Sequence, residues 1–325
     1  MARLAGVSQM TVSRVMRDAG YISHDVRGQV VQAARNLGYV HNRLAGGQAS
    51  YDNPLVGVVL PTLHNRVFTE VLSGISDTLA ESGLRPVFGV TEYAQLAEED
   101  LVFDLLSWRP RGLILAGLEH SDAVRRILAQ TGVRVAEVMD TDGTPISACF
   151  GISQQAVGRE MADHLLDRGY RRFGYVARRP GVDLRAEKRF AAFAERVQAA
   201  GAQIVATQVA DGGSPMAAGR RVTGDLLHGA VASRPDAVYY ANDDLAAGGL
   251  MHCLAEGLSV PSDIALAGFN GLGFLAALPL QITTTETPLY EIGATAAAWI
   301  RTDESGVAPA PCHQFQTRLI AGDTT

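Results

Sequence analysis

The chain has 325 residues, of which 47 % are hydrophobic and 19 % charged, and its formal net charge is −6. This length allows two or three domains with sizeable cores, and the composition excludes wholesale disorder. No apolar run reaches the ~18 residues of a membrane span and no secretory signal pattern opens the chain, so we expect a cytoplasmic protein without a membrane partner.

The charge is unevenly distributed. Residues 1–50 contain six Arg and two Asp, whereas the remainder of the chain holds 22 basic and 32 acidic residues. A basic segment on an acidic protein favours a polyanionic partner such as nucleic acid. A chance excess of Arg is the alternative, because the imbalance is modest.

Three short helices are predicted within residues 2–39. The first ends at Gly6, and the second begins at Ser8, a residue type favoured at helix N-caps. The third runs from about His24 to Leu37, with apolar residues at helical spacing. These helices are the size of a small DNA-binding domain.

The second of these helices is a candidate reading helix. In a helix-turn-helix, the second helix lies in the major groove and presents its first residues to base edges. The amide of Gln9 can pair with adenine, and Arg14 can reach a guanine edge or a phosphate. The candidate contacts are Ser8, Gln9, Met10, Thr11, Ser13 and Arg14. An ordinary small helical bundle has the same periodicity, so both interpretations stay open on the helices alone.

A Gly- and Ser-rich linker over residues 40–53 separates this segment from a different pattern. From Pro54, short apolar runs alternate with amphipathic helices such as those predicted over 68–82 and 155–168. The predicted strands are LVGVVLP, RPVFGV, GLILAG, RVAEVMD, FGYVA, QIVATQVA, AVYYAND and IALAGFN. This alternation predicts an α/β body with parallel sheets covered on both faces, whose ligands bind at the carboxyl ends of the strands.

Signals for catalysis are weak. The segment GLGFLA, with Gly271, Gly273 and Ala276, formally fits a dinucleotide fingerprint, but Pro279 follows it and no complete βαβ unit remains. No Walker loop, nucleophile elbow or metal-spaced cluster occurs in the sequence. We therefore expect neither an enzyme nor a cofactor.

The three cysteines also lack a pattern. Cys149, Cys253 and Cys312 lie far apart and are odd in number, which matches neither a disulfide framework nor metal-ligand spacing. The expectation is buried free thiols in a reducing compartment and no metal site.

The segment ARLAGVSQMTVSRVM, followed by LGYVHNRLA, resembles the DNA-binding headpiece of the LacI/GalR family of bacterial transcriptional regulators. The resemblance continues through ANDDLAAGGL, VPSDIALAGFNG and LPLQITTTETP, in the order of the family. Within the family, the chain is most similar to gluconate-utilisation repressors. The resemblance implies an all-α helix-turn-helix headpiece and a two-lobed periplasmic-binding-protein-like body.

The implied domains are a headpiece at 1–39, a hinge at 40–53 and an effector-binding and dimerisation domain at 54–325. Within the last, the implied N-lobe is 54–152 plus 283–307, and the implied C-lobe is 153–282 plus 308–322. Asn42, Arg43 and Leu44 are implied as further DNA contacts. The chain enters the family's first helix partway, so its natural start lies upstream of Met1 or the headpiece lacks a turn. Gln48 stands where members carry a minor-groove Leu, and the adjacent glycines each disfavour a hinge helix by ~1 kcal/mol.

The resemblance also implies a small-molecule site between the lobes. Arg189 matches the Arg that members aim at the effector, with Arg185 or Lys188 as alternatives. Asn270 stands where sugar-binding members commonly carry Asp, which favours an anionic ligand such as a sugar acid. The implied effector contacts are His64, Asn65, Phe68, Asp140, Arg185, Arg189, Asn242 and Asn270.

The predicted function is an effector-controlled repressor of carbohydrate or sugar-acid catabolism. A homodimer binds operator DNA, and closure of the cleft on its effector releases it. A solute-binding protein of the same body fold and a doubly wound α/β enzyme are the alternatives; both predict no response to promoter DNA.

Overall fold

A computed structural model of the chain describes residues 1–16, 21–39, 53–228, 234–302 and 312–325. The predicted second and third headpiece helices are present as α1 (Gln9–Met16) and α2 (His24–Asn36). The predicted first helix is wrong: residues 2–6 form a turn, in which the Ala5 amide donates to the Met1 carbonyl at 2.9 Å. With so few residues before Gly6, which has a φ of 65°, the segment closes only one helical turn.

The headpiece has its own small core. Ala5, Val15, Val30 and Ala33 are buried against one another. Partly buried side chains that include Val12 pack around them. The 3.6-residue periodicity of the sequence therefore fixes which faces of α1 and α2 meet.

The body contains the remaining elements of the described residues. The strands are β1 (Leu55–Leu60), β2 (Arg85–Val90), β3 (Gly112–Ala116), β4 (Arg134–Val138), β5 (Ala148–Gly151), β6 (Arg172–Ala177), β7 (Gln203–Val209), β8 (Ala237–Tyr240), β9 (Ala265–Ala267), β10 (Thr284–Glu286), β11 (Cys312–Gln314) and β12 (Arg318–Ile320). The α-helices are α3 (Val67–Ala80), α4 (Gln95–Ser107), α5 (Asp122–Thr131), α6 (Gln154–Asp167), α7 (Leu184–Ala199), α8 (Pro215–Leu227), α9 (Asp243–Ala255) and α10 (Leu289–Arg301).

Two parallel sheets form two lobes, which confirms the predicted fold class. The N-lobe sheet has the order β11-β5-β4-β3-β1-β2, and the C-lobe sheet has the order β7-β6-β8-β9. All eight predicted strands are present. Four short ones, β5, β10, β11 and β12, were not predicted, because strands of three or four residues carry too little apolar pattern to be recognised.

The last strands of the chain run between the lobes. Strand β10 pairs antiparallel with β12, whereas β11 pairs with β5 at the edge of the N-lobe sheet. The implied assignment of 308–322 to the C-lobe is therefore wrong for Cys312–Gln314. Helix α10 returns to the N-lobe and packs closely on α3, since a side chain at Gly74 would overlap the backbone of α10.

The expectation of three buried free thiols is also wrong. Cys149 on β5 and Cys312 on β11 form a disulfide between strands whose cysteines lie 163 residues apart in sequence. Cys312 is exposed, and Cys253 is a buried free thiol. The spacing of the cysteines in the sequence could not predict this disulfide, because only the pairing of β5 with β11 brings Cys149 and Cys312 together.

The conformation of the dinucleotide-like segment and the character of the helices both bear on function. The residues of the formal dinucleotide fingerprint enter a 3₁₀ helix, Gly273–Ala277, rather than the α-helix that would point its N-terminus at a pyrophosphate. Among the residues described, none of the helices has the length and apolar character needed to cross a bilayer.

Candidate functional site

The N-terminal end of α1 presents polar and apolar side chains to solvent. Ser8 caps the helix, because its Oγ accepts a hydrogen bond from the Thr11 amide at 3.1 Å. Gln9 is exposed and Met10 is 65 % exposed, and Arg14 in the last turn of α1 is exposed as well. Another face of α1 packs on the headpiece core through Val15. The exposed side of α1 is thus free to meet an external partner.

The other predicted DNA contacts are either partly buried or lie outside the described residues. Thr11 and Ser13 are partly buried, and the Thr11 hydroxyl lies 2.9 Å from the Ser8 hydroxyl. Asn42, Arg43 and Leu44 lie outside the described residues, as does the linker over residues 40–52.

A cleft separates the lobes at the carboxyl ends of both sheets. A small cavity in it, of about 30 Å³, is lined by six of the eight predicted effector residues. These six are Asn65, Phe68, Arg185, Arg189, Asn242 and Asn270. The topology brings them together from four separate loops and helices.

Arg189 lies at the centre of this cavity. Its guanidinium donates to the Gln154 Oε1 and, at 2.7 Å, to the Ala241 carbonyl, and its carbon lies 3.6 Å from the centroid of the Phe269 ring. Gln154 is held in turn by its own amide, which donates to the Met139 carbonyl at 2.9 Å. The Arg189 side chain is therefore fixed before any ligand arrives.

The charge of Arg189 is not balanced locally. The residue is 3 % exposed, and its Nε has no hydrogen-bond partner. No Asp or Glu of the described residues lies within 4.0 Å of its guanidinium. A buried cation without a counter-ion is costly, so this arrangement calls for an anion from outside.

Sequence reasoning missed the residues that hold Arg189. Phe269 directly precedes the predicted Asn270, so its proximity to the cleft could have been inferred from that strand end. Gln154 and Ala241 gave no signal, because their contacts with Arg189 depend on where α7 packs relative to α6, which begins at Gln154, and to the end of β8, which Ala241 follows. That packing is close: a side chain at Gly158 would overlap the Arg189 carbonyl.

The two asparagines serve the backbone as well as the cavity. The Asn242 Oδ1 accepts from the Leu245 amide at 3.0 Å and caps α9. Asn270 is buried and has a φ of 118°, a conformation that non-glycine residues adopt only when neighbours enforce it. Its carbonyl accepts from the Thr287 amide at 3.1 Å, which joins it to the segment between the lobes.

Asp243 positions the loop that carries Asn270. Its carboxylate accepts from the Leu272 amide at 2.9 Å and from the Thr284 hydroxyl at 2.6 Å. Burial raises the pKa of Asp243 to about 6, although these hydrogen bonds oppose the rise. Asp243 is thus a positioning residue that sequence reasoning did not identify.

Two predicted effector residues are not in the cavity around Arg189. His64 is exposed, and its backbone amide donates to the Thr62 hydroxyl. Asp140 is fully buried and binds the Lys188 Nζ at 2.6 Å. Burial raises the pKa of Asp140, and Lys188 offsets part of that rise. The Asp140 carboxylate is occupied by a lysine from the opposite lobe, so it is a brace between lobes here.

Other polar contacts also join the lobes. Arg66, before α3, lies 3.3 Å from an Asp244 carboxylate oxygen on α9. The Arg178 guanidinium lies 5.1 Å from the centroid of the Tyr93 ring. These contacts join the two lobes beside the Arg189 cavity.

A buried histidine stabilises the N-lobe side of the cleft. His120 Nδ1 lies 2.7 Å from Glu98 Oε1, and its Nε2 lies 3.4 Å from Glu137 Oε1. Burial lowers the pKa of His120, but the hydrogen bonds to Glu137 and Glu98 outweigh it and raise the pKa to about 9. His120 is therefore a cation between two carboxylates at neutral pH.

Two family profiles and a curated relative match the chain. Residues 1–42 match the profile described as bacterial regulatory proteins, lacI family, and residues 162–325 match the periplasmic binding protein-like domain. The chain is 36 % identical to the HTH-type transcriptional regulator GntR of Pseudomonas aeruginosa, over 91 % of this chain and 86 % of that protein.

Solved structures agree with these matches. A LacI-family transcriptional regulator from Silicibacter pomeroyi superposes with a TM-score of 0.81 at 42 % identity, over 99 % of this chain and 97 % of the other. The transcription regulator GntR from Chromobacterium violaceum gives a TM-score of 0.72 at 32 % identity, over 83 % of this chain and 98 % of the other.

Proposed function

The chain belongs to the LacI family of bacterial transcriptional regulators, and from this premise we propose that it is a repressor released from operator DNA by a sugar acid such as gluconate. It is a DNA-binding regulator and not an enzyme. The headpiece match at residues 1–42 also argues against a solute-binding protein of the same body fold. The relatives named GntR support a sugar acid as the effector.

The unbalanced charge of Arg189 carries the proposal of an acidic effector. A ligand carboxylate beside its guanidinium would supply the missing anion, and the guanidinium fork matches carboxylate geometry. Asn242 and Asn270 line the same cavity without adding negative charge. A neutral sugar would leave the buried cation uncompensated, so the acid binds more tightly.

The exposed side of α1, from its N-terminal end to Arg14 in its last turn, is the proposed reading surface. Gln9, Met10 and Arg14 would face the major groove, with Ser8, Thr11 and Ser13 nearer the phosphates. Asn42, Arg43 and Leu44 would follow along the DNA. A homodimer would place two such helices in successive major grooves of a pseudo-palindromic operator.

Cleft closure is the proposed link between the two sites. The effector would add its carboxylate contacts to the closed arrangement that Arg66–Asp244 and Lys188–Asp140 already favour. Only a difference in effector affinity between the two lobe arrangements can shift DNA binding. A coupling of ~1–3 kcal/mol corresponds to roughly 5–150-fold in operator affinity.

Fluorescence anisotropy of the full-length protein with DNA from upstream of its own gene tests the proposal. At low salt the protein should bind, and added gluconate should weaken binding at least about fivefold. Glucose, which is neutral, is the matched control and should have no effect. Equal release by glucose would refute the acidic effector, and absence of binding to the promoter DNA would refute the operator assignment.

A further inference from the structure

We infer that the preferred effector is a glycosylated sugar acid, which places its carboxylate beside Arg189 and its second sugar ring in a larger neighbouring cavity. This inference rests on the proposed function, since it takes an acidic effector as given. It adds a second ligand site, named here the distal cavity, to the small cavity around Arg189.

The small cavity cannot hold a whole sugar acid. Its volume of about 30 Å³ accommodates two or three water-sized groups. A carboxylate has this size, but the polyhydroxy chain attached to it does not fit in the same space. The remainder of any sugar acid bound at Arg189 must therefore extend out of the small cavity.

The distal cavity lies at the exit of the small one. The two share Asp183 and Arg185, at the N-terminal end of α7. The volume of the distal cavity is about 430 Å³, within the ~300–1,000 Å³ range of sites for drug-sized ligands. The chain of a single sugar acid would fill only part of this volume, whereas an additional sugar ring would fill much of the rest.

The wall of the distal cavity suits neutral hydroxyl groups. It carries three carboxylates, Glu98, Glu119 and Asp183. Each has a cation beside it: His120 at 2.7 Å from Glu98, Lys188 in contact with Glu119, and Arg185 at 3.7 Å from Asp183.

Carboxylates held in this way accept hydrogen bonds from sugar hydroxyls, and because each is paired with a cation the wall offers no net positive charge to attract a second anion. Thr91, Tyr93 and Gln95 add hydroxyl and amide groups to the same wall. The cleft is thus cationic at the Arg189 end and rich in hydrogen-bond acceptors at the other. This polarity matches a ligand with one acid end and one neutral sugar end.

Isothermal titration calorimetry on the full-length protein tests the inference with gluconate and three glycosylated gluconates: maltobionate, cellobionate and lactobionate. At least one of the three should bind about tenfold or more tightly than gluconate, because two net hydrogen bonds to the added ring suffice for that gain. Maltose, which lacks the acid, should not bind. If all three bind no more tightly than gluconate, the inference is overturned while the proposed function stands; if no acid binds, the proposed function itself fails.

A pair of tryptophan variants locates the second ring. Gln95 lines the distal cavity, whereas its neighbour Leu96 is 73 % exposed and does not line it. Gln95→Trp should weaken the best glycosylated acid about tenfold or more and leave gluconate within about threefold, and Leu96→Trp should change neither. Unchanged binding of the glycosylated acid, or a parallel loss of gluconate, would overturn the assignment. If Gln95→Trp does not fold, Ala94→Phe on the same wall replaces it.

Discussion

Replacing Arg189 by Met removes the guanidinium and keeps the apolar stem against Phe269. The Gln154 and Ala241 oxygens lose their donor, which costs about 1–3 kcal/mol for each of the two buried acceptors. The same change removes a buried charge that has no counter-ion, and the relief of that desolvation offsets part of the cost. We therefore expect Arg189→Met to fold, with a free energy of unfolding that lies below that of the wild type by less than about 6 kcal/mol.

The effect on effector binding should be larger. Two charge-assisted hydrogen bonds from Arg189 to a carboxylate contribute about 3–6 kcal/mol together, so Arg189→Met should weaken gluconate roughly a hundredfold to ten-thousandfold. Arg189→Lys keeps the charge and loses the planar fork, so its affinity should fall between the two. Binding of the effector-free protein to DNA should stay within about twofold, since the headpiece is untouched.

The assay combines calorimetric titration of gluconate with anisotropy on promoter DNA. Arg196→Met is the matched control: it removes the same charge from the same helix, at a side chain that is 40 % exposed and paired with Asp163. That variant should bind gluconate like the wild type. A loss of less than about tenfold in Arg189→Met would refute the reasoning and would move the anchor to Arg185.

Three other measurements test separate parts of the protein. Arg14→Ala should weaken promoter binding about five- to tenfold, with effector affinity unchanged; equal loss of both would contradict the division of labour. Because the pKa of His120 is raised to about 9 in the folded protein, its stabilising charge is fully present below about pH 6.5 and is lost as the pH rises through 9. Urea unfolding should therefore show about 3 kcal/mol less stability at pH 10 than at pH 6.5 from this group, a dependence that His120→Gln removes; the same pH slope in both proteins would show that the histidine is not the source. Thiol titration of the denatured, unreduced protein should detect one thiol per chain, at Cys253, and three would exclude the disulfide.

Most of the fold could be predicted because its signals are local. The helical periodicity of residues 9–36 and the apolar runs after Pro54 each depend on neighbours a few positions away. The elements that were missed or misplaced depend on contacts between residues far apart in sequence, which local patterns do not record. Strand β11, for example, is three residues long and pairs with β5, and the paired cysteines of these two strands lie 163 residues apart in sequence.

The candidate site was predicted in part. Six of the eight effector residues that the family resemblance implied, Arg189 among them, line one cavity. His64 and Asp140 do not line this cavity, because the sequence does not reveal that His64 is exposed or that Asp140 is bound by a lysine from the other lobe. The distal cavity had no sequence signal at all.

The sequence by itself determined the two kinds of domain and the two headpiece helices, because periodicity is a property of short segments, and its resemblance to the LacI/GalR family indicated an arginine in the cleft. Only the tertiary structure decided that this arginine is buried without a carboxylate, that Cys149 meets Cys312, and that a second cavity opens beside the first. Those properties depend on which distant loops face one another once both lobes have formed, and no local pattern in the chain encodes that.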